Sequence, residues 1–242
     1  MNEYGVDLAR IHHQGHGELA RSAGPAVVTH LRQAGIREGL VVDLGCGSGI
    51  LARHLVDSGY AVLGVDPSAA MLRLARRMAP AARFVRSRAE DVNLPKCVAV
   101  LATGESLTYL TRRAPTAHLR RHVRRVSAAL VPGGLFIFDA ITESDVAPMN
   151  YRTWRATRGW AVLADVTEDR RRHVVRRRII TFARVGSTYR RSHAEHRVGV
   201  YARGTVLREL RRRGFIARTL AGYGASPLAP RRVVFYARCA GH

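Results

Sequence analysis

The chain has 242 residues, 47% of them hydrophobic and 24% charged, enough to bury a sizeable core and too apolar for a disordered tail or a collagen-like chain. No stretch approaches the roughly 18 to 20 uncharged apolar residues of a membrane span, and Met1 to Arg10 lacks an apolar signal core, so a cytoplasmic protein with no membrane partner is expected. Cys46, Cys97 and Cys239 are widely spaced and odd in number; they fit neither a disulfide framework nor a zinc site and read as reduced thiols. The formal net charge is +22, from 40 basic and 18 acidic residues, and Lys96 is the single lysine. Residues 1–100 hold 12 basic and 9 acidic residues (+3), residues 101–242 hold 28 and 9 (+19). A GC-rich coding sequence favours arginine everywhere, so the concentration in the second half leaves an anionic substrate or partner open.

Residues 1–39 predict a helical arm. Val6, Leu8 and Ile11, then Val27, Val28 and Leu31, fall at helical spacing on either side of a break at Ser22-Ala23-Gly24-Pro25. Leu40–Leu44 is an apolar run ending in glycines, as expected of a parallel strand buried on both faces. A helix over Ser48–Ser58, stopped by Gly59, leads to a second strand at Ala61–Val65, and Ser68 caps a helix with Met71, Leu72 and Ala75 on one face. Short strands follow at Arg83–Arg86 and Val98–Ala102. Leu119, Val123, Val126 and Leu130 stripe an amphipathic helix over 115–130, and Pro132-Gly133-Gly134 turns into a fifth strand, Leu135–Asp139. Strands alternating with helices imply right-handed crossovers and a doubly wound α/β sheet. Beyond Asp139, residues 161–166, 174–183 and 189–201 predict long strands with no helix between them, an antiparallel insertion after strand five. Thr205–Arg213 predicts a helix, and Phe215–Leu220 with Arg232–Ala237 a closing hairpin.

The segment richest in chemistry is Asp43-Leu44-Gly45-Cys46-Gly47-Ser48-Gly49, which follows a strand and opens a helix. Glycines permit the tight turn and let a ligand approach backbone that a side chain would shield. A pyrophosphate-binding G-x-G-x-x-G would need glycine at position 50, which is Ile50. The spacing is instead G-x-G-x-G behind an acid, and that acid repels phosphate and attracts an ammonium group. Asp66 closes the second strand, where a carboxylate can accept hydrogen bonds from ribose hydroxyls.

On these residues the chain resembles the class I S-adenosylmethionine-dependent methyltransferases, over residues 40–140. The resemblance implies a Rossmann-like, seven-stranded, mostly parallel sheet, S-adenosyl-L-methionine as cofactor, and methyl transfer to N or O of a small-molecule acceptor. It divides a single domain, 1–242, into a lid (1–39), a cofactor-binding core (40–150), an antiparallel substrate cap (151–201) and a C-terminal helix and hairpin (202–242). Asp43, Gly45, Cys46 and Gly47, with Gly49 as a further candidate, would hold the methionine moiety and ribose, and Asp66 the ribose hydroxyls. Pro67 and Met71 would flank the adenine. Where the family has Gly-Asp-Ala, this chain has Ser87-Arg88-Ala89. The adenine contact then falls to the Ala89 amide, to Glu90 or Asp91, or elsewhere.

Thr103 to Tyr109 should face the transferred methyl, since ligands bind at the carboxyl ends of strands. Glu105 is the candidate for orienting the acceptor or taking its proton, and Tyr109 for shaping the pocket. The arm carries His12, His13 and His16, candidates to line the pocket or serve as the base for a hydroxyl. His13 is carried forward as the catalytic candidate. No acid or cysteine pattern completes a metal site. Trp154, Trp160, Tyr189 and Tyr201, with Arg190, Arg191 and Arg197, would select a ring or an anion in the cap. Rival readings are an RNA methyltransferase using the basic C-terminal half, a non-catalytic cofactor-binding module, and an NAD-dependent oxidoreductase, which Ile50 disfavours.

Overall fold

The computed structural model describes residues 4–109, 115–224 and 226–240; the first three residues of the Met1–Arg10 stretch lie outside them. The chain opens with α1 (Val6–Gly15) and α2 (Glu18–Gln33). It then alternates through β1 (Leu40–Leu44), α3 (Ile50–Asp57), β2 (Ala61–Asp66), α4 (Ala69–Met78), β3 (Arg83–Arg86) and β4 (Cys97–Ala102). After a short 3-10 turn at Ser106–Thr108 come α5 (Pro115–Ala129) and β5 (Leu130–Thr142). Four strands follow without a helix: β6 (Asn150–Ala156), β7 (Trp160–Asp169), β8 (Val174–Val185) and β9 (Thr188–Tyr201). The remainder is α6 (Arg203–Arg211), β10 (Phe215–Leu220), the small hairpin of β11 (Gly222–Tyr223) and β12 (Ser226–Pro227), and β13 (Arg232–Cys239).

Strands β3-β2-β1-β4-β5 run parallel in that order. β13 then pairs antiparallel with both β5 and β10, so the closing hairpin completes seven core strands. The alternating pleat divides the apolar side chains between two layers. Val42, Leu44, Val100, Phe136 and Phe138 pack beneath α5 and α6, whereas Val41, Leu101 and Ile137 pack against α2 and α3. Phe138 and Phe235 are direct cross-strand partners whose rings stack at 5.0 Å. Each such fully buried ring contributes roughly 1.5–3 kcal/mol by burial.

The helical arm breaks at His16-Gly17, not at Ser22–Pro25. Gly24 and Pro25 lie inside α2 for a packing reason. A Cβ on Gly24 would sit 2.6 Å from the His54 ring, so the glycine permits close approach of α2 to α3. At the actual break, a Cβ on Gly17 would come within 2.7 Å of Ile50 Cδ1. The insertion also exceeds the expectation, because β6 joins it as a fourth strand on the edge. All seven β6 residues are exposed, so none of the period-two alternation that marks a strand survives in its sequence. The last two residues of β5, Ile141 and Thr142, pair in parallel with Val200 and Tyr201 of β9. Cap and core therefore form one continuous sheet of eleven strands among the described residues. No helix among them is long and apolar enough to cross a membrane.

Candidate functional site

Three glycines in the turn after β1 have left-handed backbones, each for a different reason. Gly45 (φ 74°) lies so close to Ser106 that a Cβ would fall 2.3 Å from the Ser106 Cβ. Gly49 (φ 79°) rests against the Ala75 backbone of α4. Gly47 (φ 52°) meets no protein atom within 4 Å on its Cβ side, and it lines a cavity of ≈ 220 Å³ at the carboxyl ends of the parallel strands. Asp66, ending β2, fixes this turn: its carboxylate accepts from the Gly47 N–H at 3.0 Å and the Ser68 N–H at 2.8 Å. Ser68 in turn caps α4 by accepting from the Met71 N–H.

Asp43 differs sharply from Asp66. It is 1% exposed, and neither carboxylate oxygen has a hydrogen-bond partner among the described residues. Burial, reinforced by the neighbouring Asp66 carboxylate, pushes it up to about 7. A buried carboxylate left without a donor is costly, and beside an open cradle it suits a polar ligand that brings a donor. An S-adenosylmethionine-type ligand fits this donor set: its ammonium would satisfy Asp43, and its bulk would occupy the space over Gly47.

Of the residues read from the sequence as cofactor contacts, Asp43, Gly45, Cys46, Gly47, Asp66, Pro67, Met71, Ala89 and Thr103 line this one cavity, whereas the further candidate Gly49 does not. Arg88, standing where the related motif has an acid, lines it too, with Glu90 beside it. Among the catalytic candidates, Tyr109 lines the cavity and His13 does not. His13 Nδ1 instead meets Ser48 Oγ at 2.8 Å, tying α1 to the glycine turn, while His12 and His16 reach the cavity wall.

Glu105 departs furthest from its expected role. It is buried, lies outside the cavity lining, and pairs with Arg177 at 2.6 Å and with Arg232. Burial alone would push its carboxyl up, but the two guanidinium groups outweigh that and hold it below the usual range. A carboxylate so engaged is a weak proton acceptor; it cross-links the loop after β4 to β8 of the cap and to β13.

The loop containing Glu105 is fixed by a residue that no motif in the sequence had marked. Asp139, buried at the edge of the site in β5, accepts from the successive N–H groups of Gly104 (2.7 Å) and Glu105 (2.8 Å) and from the Tyr223 hydroxyl (2.7 Å). Two adjacent left-handed residues, Gly104 at φ 70° and Glu105 at φ 63°, converge their N–H groups on that anion. Burial pushes Asp139 up to about 6 against these hydrogen bonds. An acid ending an apolar strand run was its signal, as it was for Asp43 and Asp66. Tyr4 and His196 also line the cavity; neither sits in a motif that would have exposed it.

Residues 41–134 match the family model described as a methyltransferase domain. Over 145 residues the chain is 30% identical to malonyl-[acyl-carrier protein] O-methyltransferase of Enterobacter lignolyticus, covering 60% of this chain and 55% of the relative. It is 34% identical over 150 residues to trans-aconitate 2-methyltransferase of Paracidovorax citrulli, covering 59% and 53%. The chain thus spans about half the length of these curated relatives. An S-adenosylmethionine-dependent methyltransferase from Clostridium acetobutylicum shares the fold at a TM-score of 0.81 and 19% identity, covering 96% of this chain and 98% of that one. DesVI of Streptomyces venezuelae does so at 0.81 and 19%, covering 98% and 100%. Strand order, acidic glycine turn and family match agree: residues 41–134 match a methyltransferase domain, and the chain shares the fold of S-adenosylmethionine-dependent methyltransferases.

Proposed function

We propose that the protein transfers the methyl group of S-adenosyl-L-methionine to an N or O atom of a small-molecule acceptor. The observation carrying this reading is the orphaned Asp43 carboxylate in a cavity lined by Gly45, Cys46, Gly47 and Ser48 of the acidic glycine turn and by Asp66. The bound sulfonium supplies an electrophilic methyl group. The chain's own part is positioning, because in-line displacement depends on alignment. Asp66, held by two backbone N–H groups, presents its carboxylate to ribose hydroxyls. Asp43 faces the ammonium, Pro67, Met71 and Ala89 wall the base, and Thr103 and Tyr109 border the reacting end. Glu105 acts as a positioning residue that clamps the cap over this end. In this assignment residues 1–39 cover the cavity, 151–201 form the acceptor's side, and the reduced cysteines fit a cytoplasmic setting.

The basic excess favours a second reading, methylation of RNA. Against it, Arg88 is the one arginine that lines the cavity among the described residues. The remaining charge lies away from the cavity lining, in buried or half-buried ion pairs for Arg177, Arg231 and Arg232 and otherwise on surface that attracts polyanions without selecting an acceptor. The names of the relatives, which include O- and N-methyltransferases of small or carrier-bound molecules, support the first reading. Methyl incorporation from labelled donor into a metabolite extract and into total RNA, at ~0.15 M salt where exposed charges are screened beyond about 8 Å, decides between them. Label is expected in the metabolite fraction; label confined to RNA reverses the ranking, and cofactor binding without transfer to either leaves only a binding module.

A further inference from the structure

Two orphaned buried groups line the cavity. Asp43 belongs to the glycine turn; the other is His196 of β9. The register across the cap aligns Val166, Arg177 and His196 on the face turned toward the core. Arg177 is engaged by Glu105. His196 is 2% exposed, and its Nε2 has no hydrogen-bond partner among the described residues. Its ring packs 4.9 Å from that of Tyr4 and 5.3 Å from that of Tyr109, both of which also line the cavity. Thr181 Oγ1 is likewise orphaned, but it lies outside this cavity.

A buried imidazole nitrogen is ordinarily satisfied by backbone, water or ligand. This one sits in a wall of rings, Tyr4, Tyr109 and His12, with no carboxylate of the wall to pair with it. Burial and then the Arg177 charge push His196 down to about 4, so it stays an uncharged hydrogen-bond acceptor or donor across the neutral range. His12 is likewise held near 4 by burial and by the neighbouring histidines.

We propose that His196 Nε2 accepts a hydrogen bond from the reacting N–H or O–H of the methyl acceptor and so aims the acceptor's lone pair at the methyl carbon. The acceptor atom gains a bond to the methyl carbon, the carbon–sulfur bond breaks with its electron pair left on sulfur, and the displaced proton leaves to solvent. This assignment rests on the methyl-transfer reading above, and it puts the group that orients the acceptor on the cap in place of Glu105 or His13.

The test needs no knowledge of the natural acceptor. S-adenosylhomocysteine and sinefungin differ at the reacting end, where sinefungin carries an amine-bearing carbon in place of sulfur and so presents an N–H donor. Calorimetric titration of the wild-type protein is expected to show sinefungin bound roughly tenfold more tightly, the worth of one hydrogen bond to a charged donor. His196→Phe should keep its affinity for S-adenosylhomocysteine within about twofold and lose that preference. His196→Gln, which returns an acceptor oxygen near the Nε2 position, should restore part of it. In nitrogen-15 spectra of the wild-type protein the His196 Nε2 resonance should move with sinefungin and stay with S-adenosylhomocysteine, a readout independent of how the variants fold. A preference that survives in His196→Phe, or a wild-type Nε2 signal indifferent to sinefungin, overturns the assignment of His196. Failure of both compounds to bind the wild-type protein instead removes the methyl-transfer reading beneath it.

Discussion

Replacing Asp43 with asparagine separates the cost of burying this acid from its purpose. The Asp43 carboxyl is pushed from an ordinary 3.8 up to about 7 by burial and by Asp66, so between those values the native chain holds a proton that the unfolded chain has released. Stability must therefore fall as pH rises through that window, by about 1.4 kcal/mol per pH unit, and level off above about 7. The full difference is on the order of 4 kcal/mol, an upper value because buried sites relax around a charge. A carboxamide cannot ionise, so Asp43→Asn should gain on the wild type by about 2–3 kcal/mol between about pH 5 and pH 8. Asp139, raised to about 6, slopes the same way but is common to both proteins and cancels in the comparison. Urea unfolding of both proteins at half-unit pH intervals reads the gap, and calorimetry with S-adenosylhomocysteine on the same samples should show affinity lost in the stabilised variant. A gap that does not change with pH, or a variant less stable than the wild type at about pH 8, would refute the assignment of Asp43 as an unpartnered buried acid.

The glycine turn offers a paired contrast: Gly47→Ala should cost only about 1 kcal/mol of stability, the penalty of a left-handed Cβ, while blocking S-adenosylhomocysteine binding. Gly45→Ala drives a Cβ into Ser106 and should lower the melting temperature markedly; thermal melts and calorimetry on both check this. Asp66→Ala removes the acceptor that fixes the Gly47 and Ser68 N–H groups, and should weaken S-adenosylhomocysteine binding by roughly 2–4 kcal/mol. Glu105→Gln leaves Arg177 and Arg232 without their counter-charge. It should cost about 2–4 kcal/mol in urea unfolding while S-adenosylhomocysteine affinity stays near wild type; loss of activity with unchanged stability would return Glu105 to a direct chemical role.

What could be read beforehand followed the range of the interactions involved. The turn from Asp43 to Gly49 is local: its backbone demands are met by its own glycines, so the spacing shows in a single stretch. The parallel strands were legible because burial on both faces makes each an apolar run. The arm's break was misplaced because Gly24 and Pro25 carry a turn signature whose real cause, the approach to His54, lies 30 residues away. Strand β6 left no trace because an edge strand with every side chain in solvent has no hydrophobic period. Glu105 was read from its position after β4, but its partners come from β8 and β13, and nothing nearby announces two arginines. His196 belongs to the same class, since only the cap's register and the ring of Tyr4, from the far end of the chain, give it a surrounding.

The pairing of β5 with β9 has a mechanical consequence. Two residues of β5 pair directly with β9, so the cap is joined to the core through the sheet itself as well as through connecting loops. Helix α1, which lines the cavity through His12, is latched to both: His13 to Ser48 on one side, Asp7 to Arg190 and Gln14 to Trp160 on the other. A door fastened to both jambs opens all at once. Under the proposed reaction, donor exchange and product release then share a single opening event, and the rate at which these few contacts let go sets the ceiling on turnover.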